Sequence, residues 1–283
     1  AAMKQVGHKT SIEVLKDFQE LKPLSENISL LVLCGKGKNG GDSLLVADYI
    51  MRTMPRAQVV VLIVTNTRDE LHPLTEKALK EVEERVSLYE CTQDSGKSIL
   101  DKIIRNEFGE KGAINICVDG LLGLGYKPPL KESLSEIVSS VNESERIEVR
   151  ISVDIPTGLA ESQIDDELYF KSDFCYLAGI PKQTVFKRHS AFTRIRFIDI
   201  GLMEGADDSD DVVRQYYLSS DCLSSLRTLR PVNVEKRVFG HLFIIAGSAL
   251  MPGALLMSVK AAIQSGAGLV TAFAPGSIVS SLS

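Results

Sequence analysis

Three places in this sequence combine the residue types and spacing that chemistry needs. The first is GKGKNGGDS (residues 35–43), where Gly35, Gly37 and Gly40 satisfy GxGxxG and Asp42 follows directly. Such a loop can offer backbone N–H groups to a phosphate, although glycine turns between a strand and a helix are common. An Asp at a helix start complements the helix dipole but repels a phosphate placed there. Loop carbonyls and carboxylates would then favour a bound cation. The other two places are VDGLLGLG and SVDIPTGL, in which Asp119 and Asp154 each close an apolar run and lead into a glycine turn. A carboxylate at such an address is costly unless it is paired, hydrogen-bonded or functional. Glycine beside it permits positive φ and a close backbone approach to a ligand. A single Asp commonly caps its own turn. Two of them together with a glycine loop point to one shared site.

These groups need a frame, and the apolar pattern supplies it. Residues 1–22 carry a helical apolar face, and ISLLVLC (28–34) is an apolar run of strand length. After the glycine loop, helical spacing resumes over 42–54. AQVVVLIVT (57–65) is a buried strand, and 74–86 is a charged helix. INICVD (114–119) and EVRISVD (148–154) are strands, with a helix over 129–141 between them whose first turn holds a proline. FCYLAG (174–179) and RIRFIDI (194–200) add two more strands. Apolar strands alternating with amphipathic helices predict a Rossmann-like α/β three-layer sandwich around a mostly parallel sheet. Ligands of such sheets bind beyond the carboxyl ends of the strands, where the glycine loop, Asp119 and Asp154 all fall.

The acidic EGADDSDD (204–211) interrupts this order as a solvated loop. A second strand–glycine turn–helix–strand unit begins in its wake. The expected division is a domain over 1–206, a linker over 207–232 and a partial unit over 233–283. That last piece is too short for an α/β domain of its own.

Composition narrows the function. A net charge of −5 opposes nucleic-acid binding. No apolar stretch is long enough to span a membrane. The five cysteines are odd in number and widely spaced, without a zinc pattern. Cys34, Cys117 and Cys175 lie in apolar runs, as reduced thiols do. No signal-peptide pattern opens the sequence, whose first residue is Ala, and a cytoplasmic location is expected. An ordinary dinucleotide dehydrogenase is disfavoured, because Thr65 and Asn66 stand where an acidic residue should hold the ribose.

The order of the motifs resembles a known family. GKGKNGGDS is similar to GxGNNGGDG, VDGLLGLGYKPPL to VDAxxGTGLxRPL, and SVDIPTGL to a DIPSG turn. FKSDFCYLAGIPK and FIDIGL resemble the strands that follow. Together they match the YjeF N-terminal domain, the NAD(P)H-hydrate epimerase. GSALMPGA and SGAGLVT resemble the start of an ADP-dependent NAD(P)H-hydrate dehydratase, whose fold is ribokinase-like. The resemblance implies an isomerase that interconverts the R and S hydrates of NADH and NADPH, within a bifunctional repair protein whose other half is a lyase. It implies a potassium ion held by Asn39, Asp119 and Thr157. Lys38, Asn39, Gly40, Gly41 and Asp42 would contact the hydrated nucleotide. So would Gly123, Leu124, Gly125, Tyr126, Lys127, Pro128, Pro129 and Asp154. Asp119 would act as acid/base or charge-stabilising group, and Lys127 would meet a phosphate or developing negative charge. Ala254 aligns with a substrate contact of the dehydratase, but ADP or ATP is not expected on this partial unit. A homo-oligomer is compatible with all of this. Four positions depart from the family pattern: Lys38 for Asn, Ser43 for Gly, Leu124 for Thr, and Thr157 for Ser. The competing reading is a non-catalytic scaffold module of the same fold.

Overall fold

In the computed structural model the described residues are 2–91, 96–110, 112–160, 168–187, 191–202, 218, 222–223 and 233–281. The chain divides into two compact units, Ala1–Tyr217 and Leu218–Ser283. The acidic stretch at 204–211 and most of the expected linker lie outside the described residues.

The first unit is a seven-stranded sheet. Its strands are β1 (Ser29–Gly35), β2 (Gln58–Val64), β3 (Ser87–Cys91), β4 (Ile114–Gly120), β5 (Ile147–Val153), β6 (Ser172–Ala178) and β7 (Phe192–Ile198). They pair in the order β3-β2-β1-β4-β5-β6-β7, and every pairing is parallel. The helices are α1 (Ala2–Leu21), α2 (Lys38–Thr53), α3 (Pro73–Val82), α4 (Gly96–Phe108), α5 (Glu132–Glu143) and α6 (Gln183–Lys187).

The side chains of β1 show why there are three layers. Alternate residues of a strand face opposite sides. Leu30, Val32 and Cys34 pack with residues of α1, α2 and α3, whereas Leu31 and Leu33 pack with residues of α4 and α5. A strand buried on both faces is apolar along its length, which is what LLVLC (30–34) provides. Packing between α1 and α2 is tight enough that a methyl group on Gly7 would lie 2.5 Å from Leu45 Cβ.

Several boundaries move from their expected places. The helix expected at 42 begins at Lys38, so the last part of the glycine loop is helical. The helix expected over 129–141 runs Glu132–Glu143 behind Lys131, which leaves Pro129 outside it. The 74–86 helix becomes α3 followed by a 3-10 turn, Glu83–Arg85. β3, α4 and α6 are absent from the predicted elements.

The second unit contains β8 (His241–Ile245), α7 (Pro252–Gln264) and β9 (Leu269–Phe273), with β8 parallel to β9. Among the described residues, no helix is long and apolar enough to cross a membrane.

Candidate functional site

Strand order reverses direction between β1 and β4, and open α/β sheets bind ligands at such a switch point, beyond the carboxyl ends. The sequence places the glycine loop after β1, Asp119 near the end of β4 and Asp154 just after β5. In register, Asp119 sits opposite Leu33 of β1 and Ser152 of β5.

Glycine in the loop serves close packing of backbone on backbone. A Cβ on Gly35 would overlap the Leu121 carbonyl, and one on Gly40 would overlap the Gly35 carbonyl. After Asp119 the expectation of positive φ does not hold. Gly120 has no positive φ, and its missing side chain makes room for Ser43 and the Asn39 carbonyl of α2. After Asp154 it does hold: Gly158 has φ +90°. The loop is also clamped from α3. His72 N–H donates to the Lys36 carbonyl at 2.9 Å, and Thr75 Oγ1 donates to the Gly37 carbonyl at 2.8 Å.

Asp119 is fully enclosed. Its Oδ1 accepts from Thr157 Oγ1 at 2.6 Å and from Leu121 N–H at 3.2 Å, and its Oδ2 accepts from Thr157 N–H at 2.7 Å. Burial pushes its carboxyl up to about 6, against the pull of those three donors. Thr157 Oγ1 in turn accepts from Leu122 N–H at 3.0 Å, while the Leu122 carbonyl accepts from Asn39 Nδ2 at 2.7 Å. The backbone of Leu122 therefore ties Asn39, Thr157 and Asp119 into one unit. Gly123 extends it, since a methyl there would lie 3.5 Å from Asn39 Cβ.

Asn39 Oδ1 is buried without a hydrogen-bond partner. A buried amide oxygen left unpaired costs free energy, so it calls for a ligand. Lys38 is exposed, and its ammonium group does not fill that role. The surrounding donors are an amide, a carboxylate and a hydroxyl, together an all-oxygen set suited to a hard cation. Among the described residues there is no group of three His, Cys, Asp or Glu that could hold a metal ion.

Asp42 lies in the second turn of α2, so it does not serve the helix N-terminus as the sequence suggested. Burial foremost, then the Asp154 charge, pushes its carboxyl up to about 7, while Lys182 and Lys38 pull it down. A carboxyl raised on folding contributes stability that is complete below about pH 4 and lost as pH rises through about 7. Asp42→Asn should therefore raise the melting temperature, and by more at pH 8 than at pH 5. Equal gains at the two pH values would contradict this account.

Of the other expected contacts, Gly123, Tyr126 and Pro128 are half-buried, whereas Leu124, Gly125, Lys127 and Pro129 are exposed on the same loop after β4. Ala254 lies in α7 of the second unit. Lys182 was missed as a site residue, although it stands within FKSDFCYLAGIPK. Its ammonium group contacts Asp154 Oδ1.

Comparison with known proteins bears on this arrangement. The family model described as YjeF-related protein N-terminus matches residues 2–184. The chain is 30% identical over 210 residues to an NAD(P)H-hydrate epimerase of Elusimicrobium minutum, covering 71% of this chain and 84% of that one. It is 30% identical over 185 residues to a second, from Rhodopirellula baltica, covering 64% and 70%. It is 29% identical over 244 residues to the bifunctional NAD(P)H-hydrate repair enzyme Nnr of Escherichia coli, covering 85% of this chain but 43% of that relative. The fold is similar to the crystal structure of yeast ynu0, YNL200c, with a TM-score of 0.54, 20% identity, and coverage of 69% and 77%.

Proposed function

We propose, from the premise that this chain belongs to the YjeF-related protein N-terminus family, that it is an NAD(P)H-hydrate epimerase. It interconverts the R and S hydrates of NADH and NADPH. The observation that carries the reading is the Asn39–Leu122–Thr157–Asp119 unit at the β1/β4 switch point, with one amide oxygen left open.

Asn39, Asp119 and Thr157 would hold a potassium ion, which when bound supplies fixed positive charge beside the substrate. The Asp119 carboxylate, enclosed and holding three donors, acts as a charge-stabilising group rather than as a proton carrier. The loop from Gly123 to Pro129 and the turn from Lys38 to Asp42 bind the hydrated nucleotide, with Lys127 facing a phosphate. Buried Cys34, Cys117 and Cys175, none of them in a disulfide, fit a reducing cytoplasm. The 233–283 segment is read as the beginning of a ribokinase-like dehydratase unit.

The test is to supply R-hydrate together with a separate S-specific dehydratase. This chain should make the R form disappear. Replacing potassium with a bulky organic cation should slow the reaction, and Asn39→Ala should abolish that ion dependence. Activity indifferent to the ion would reject the potassium site. A folded chain inactive under all these conditions would favour the binding-module reading.

A further inference from the structure

Asp154 stands one residue beyond β5 with φ +68°, the one non-glycine residue with positive φ among those described. Such a conformation costs on the order of 1–3 kcal/mol and persists where its surroundings over-determine it. Here they do. Asp154 N–H donates to the Tyr176 carbonyl at 2.8 Å, and Ala178 N–H donates to Asp154 Oδ1 at 3.2 Å. Lys182 completes the clamp, donating to the same Oδ1 and to the Ala178 carbonyl at 2.6 Å. Both side chains are largely enclosed, at 15% exposure for Lys182 and 20% for Asp154. Every bond to the carboxylate falls on Oδ1, and Oδ2 has no partner among the described residues.

Resting on the functional reading above, we propose that Lys182 is a positioning residue for the epimerisation: it locks Asp154 through Oδ1 and leaves Oδ2 to accept a hydrogen bond from the ring hydroxyl of the hydrated substrate. A lone rotatable carboxylate could offer either oxygen in several orientations, whereas this one offers a single acceptor in a single place. The charge that faces the pair from α2 is Asp42, which Lys38 in turn faces, and the Cys175 thiol of β6 donates to the Asp154 carbonyl. Lys182 also pulls the Asp42 carboxyl down, against burial and the Asp154 charge that push it up.

The experiment uses the full chain and compares Lys182→Met, Lys182→Gln and Lys182→Arg in the coupled R-hydrate assay across pH. The two neutral variants should fold, lose about 10²-fold in kcat/KM, and shift the acidic limb of the profile upward by about one pH unit or more. Lys182→Arg should recover most of the rate with the limb in its original place. A neutral variant with the unmutated profile would overturn the proposal. So would equal losses in all three with no shift of the limb, the mark of a purely structural lysine. If one neutral variant does not fold, the other decides in the same way. If neither folds, an Arg variant that folds but is slow would overturn the proposal, and one with full rate and unmoved limb would support it. An unmutated chain that leaves the hydrate untouched would overturn the functional reading and this proposal with it, an outcome distinct from the others.

Discussion

Asp119→Asn should cost about 10²–10⁴-fold in epimerisation, the range seen when a charged or proton-transferring group at a reaction centre is lost. The structure adds a second effect. All three hydrogen bonds to Asp119 arrive from donors, two at Oδ1 and one at Oδ2. An asparagine has one acceptor oxygen, so its amide hydrogens must face a donor in either orientation. A buried polar group left unpaired costs about 1–3 kcal/mol. The variant should therefore fold with a lower melting temperature, and the isosteric swap is not neutral for the fold as the side-chain size alone would suggest. Both quantities come from R-hydrate consumption and a thermal melt on one preparation. A folded Asp119→Asn chain with undiminished rate would remove Asp119 from the mechanism.

The largest stability effect is expected on the α1 side of the sheet, outside the residues proposed to bind substrate. Asp17 of α1 is 2% exposed. It accepts Nε of Arg196 at 2.9 and 3.0 Å on its two oxygens, Nη2 at 2.6 Å and the Tyr176 hydroxyl at 3.0 Å. The guanidinium of Arg196 also lies 5.5 Å from the centre of the Phe174 ring. Asp17 thus ties α1 to both β6 and β7. Removing one partner of a buried pair typically costs 3–5 kcal/mol, because the other is left without compensation. Arg196 is about one-third exposed and can regain some hydration, which puts Asp17→Ala near the lower end, about 3 kcal/mol. The enclosed Tyr176 hydroxyl has no such escape. Urea unfolding should show the loss as a lower midpoint at unchanged slope. A loss below about 1 kcal/mol, the scale of a surface pair, would refute the fastening role.

Much of the architecture was legible in the apolar pattern. LLVLC, VVVLIV and ICV are uninterrupted because both faces of their strands are covered, and that separates a central parallel strand from a surface one. β3 escaped for the converse reason. SLYEC lies at the sheet edge with four of its five residues half-buried, so neither alternation nor an apolar run marks it. The helix starts were misplaced because glycine has poor helix propensity, and Gly40 and Gly41 argue locally for a loop. What overrides propensity is the lack of room: Gly40 packs on the Gly35 carbonyl, and Gly41 lies against Met3 and Thr75.

The sequence by itself determined at which ends of which strands the glycine loop, Asp119 and Asp154 lie, since the apolar runs they follow mark those strands. It could not determine who meets whom. Asn39 and Thr157 are 118 positions apart and are joined through the backbone of Leu122, a residue whose side chain has no part in the bond. Lys182 reaches Asp154 only because β5 and β6 are neighbours in the sheet. Hydrogen bonds through backbone groups leave no residue type to read, and strand order is set by the packing of the whole sheet. Those two facts reserved the geometry of the site for the tertiary structure.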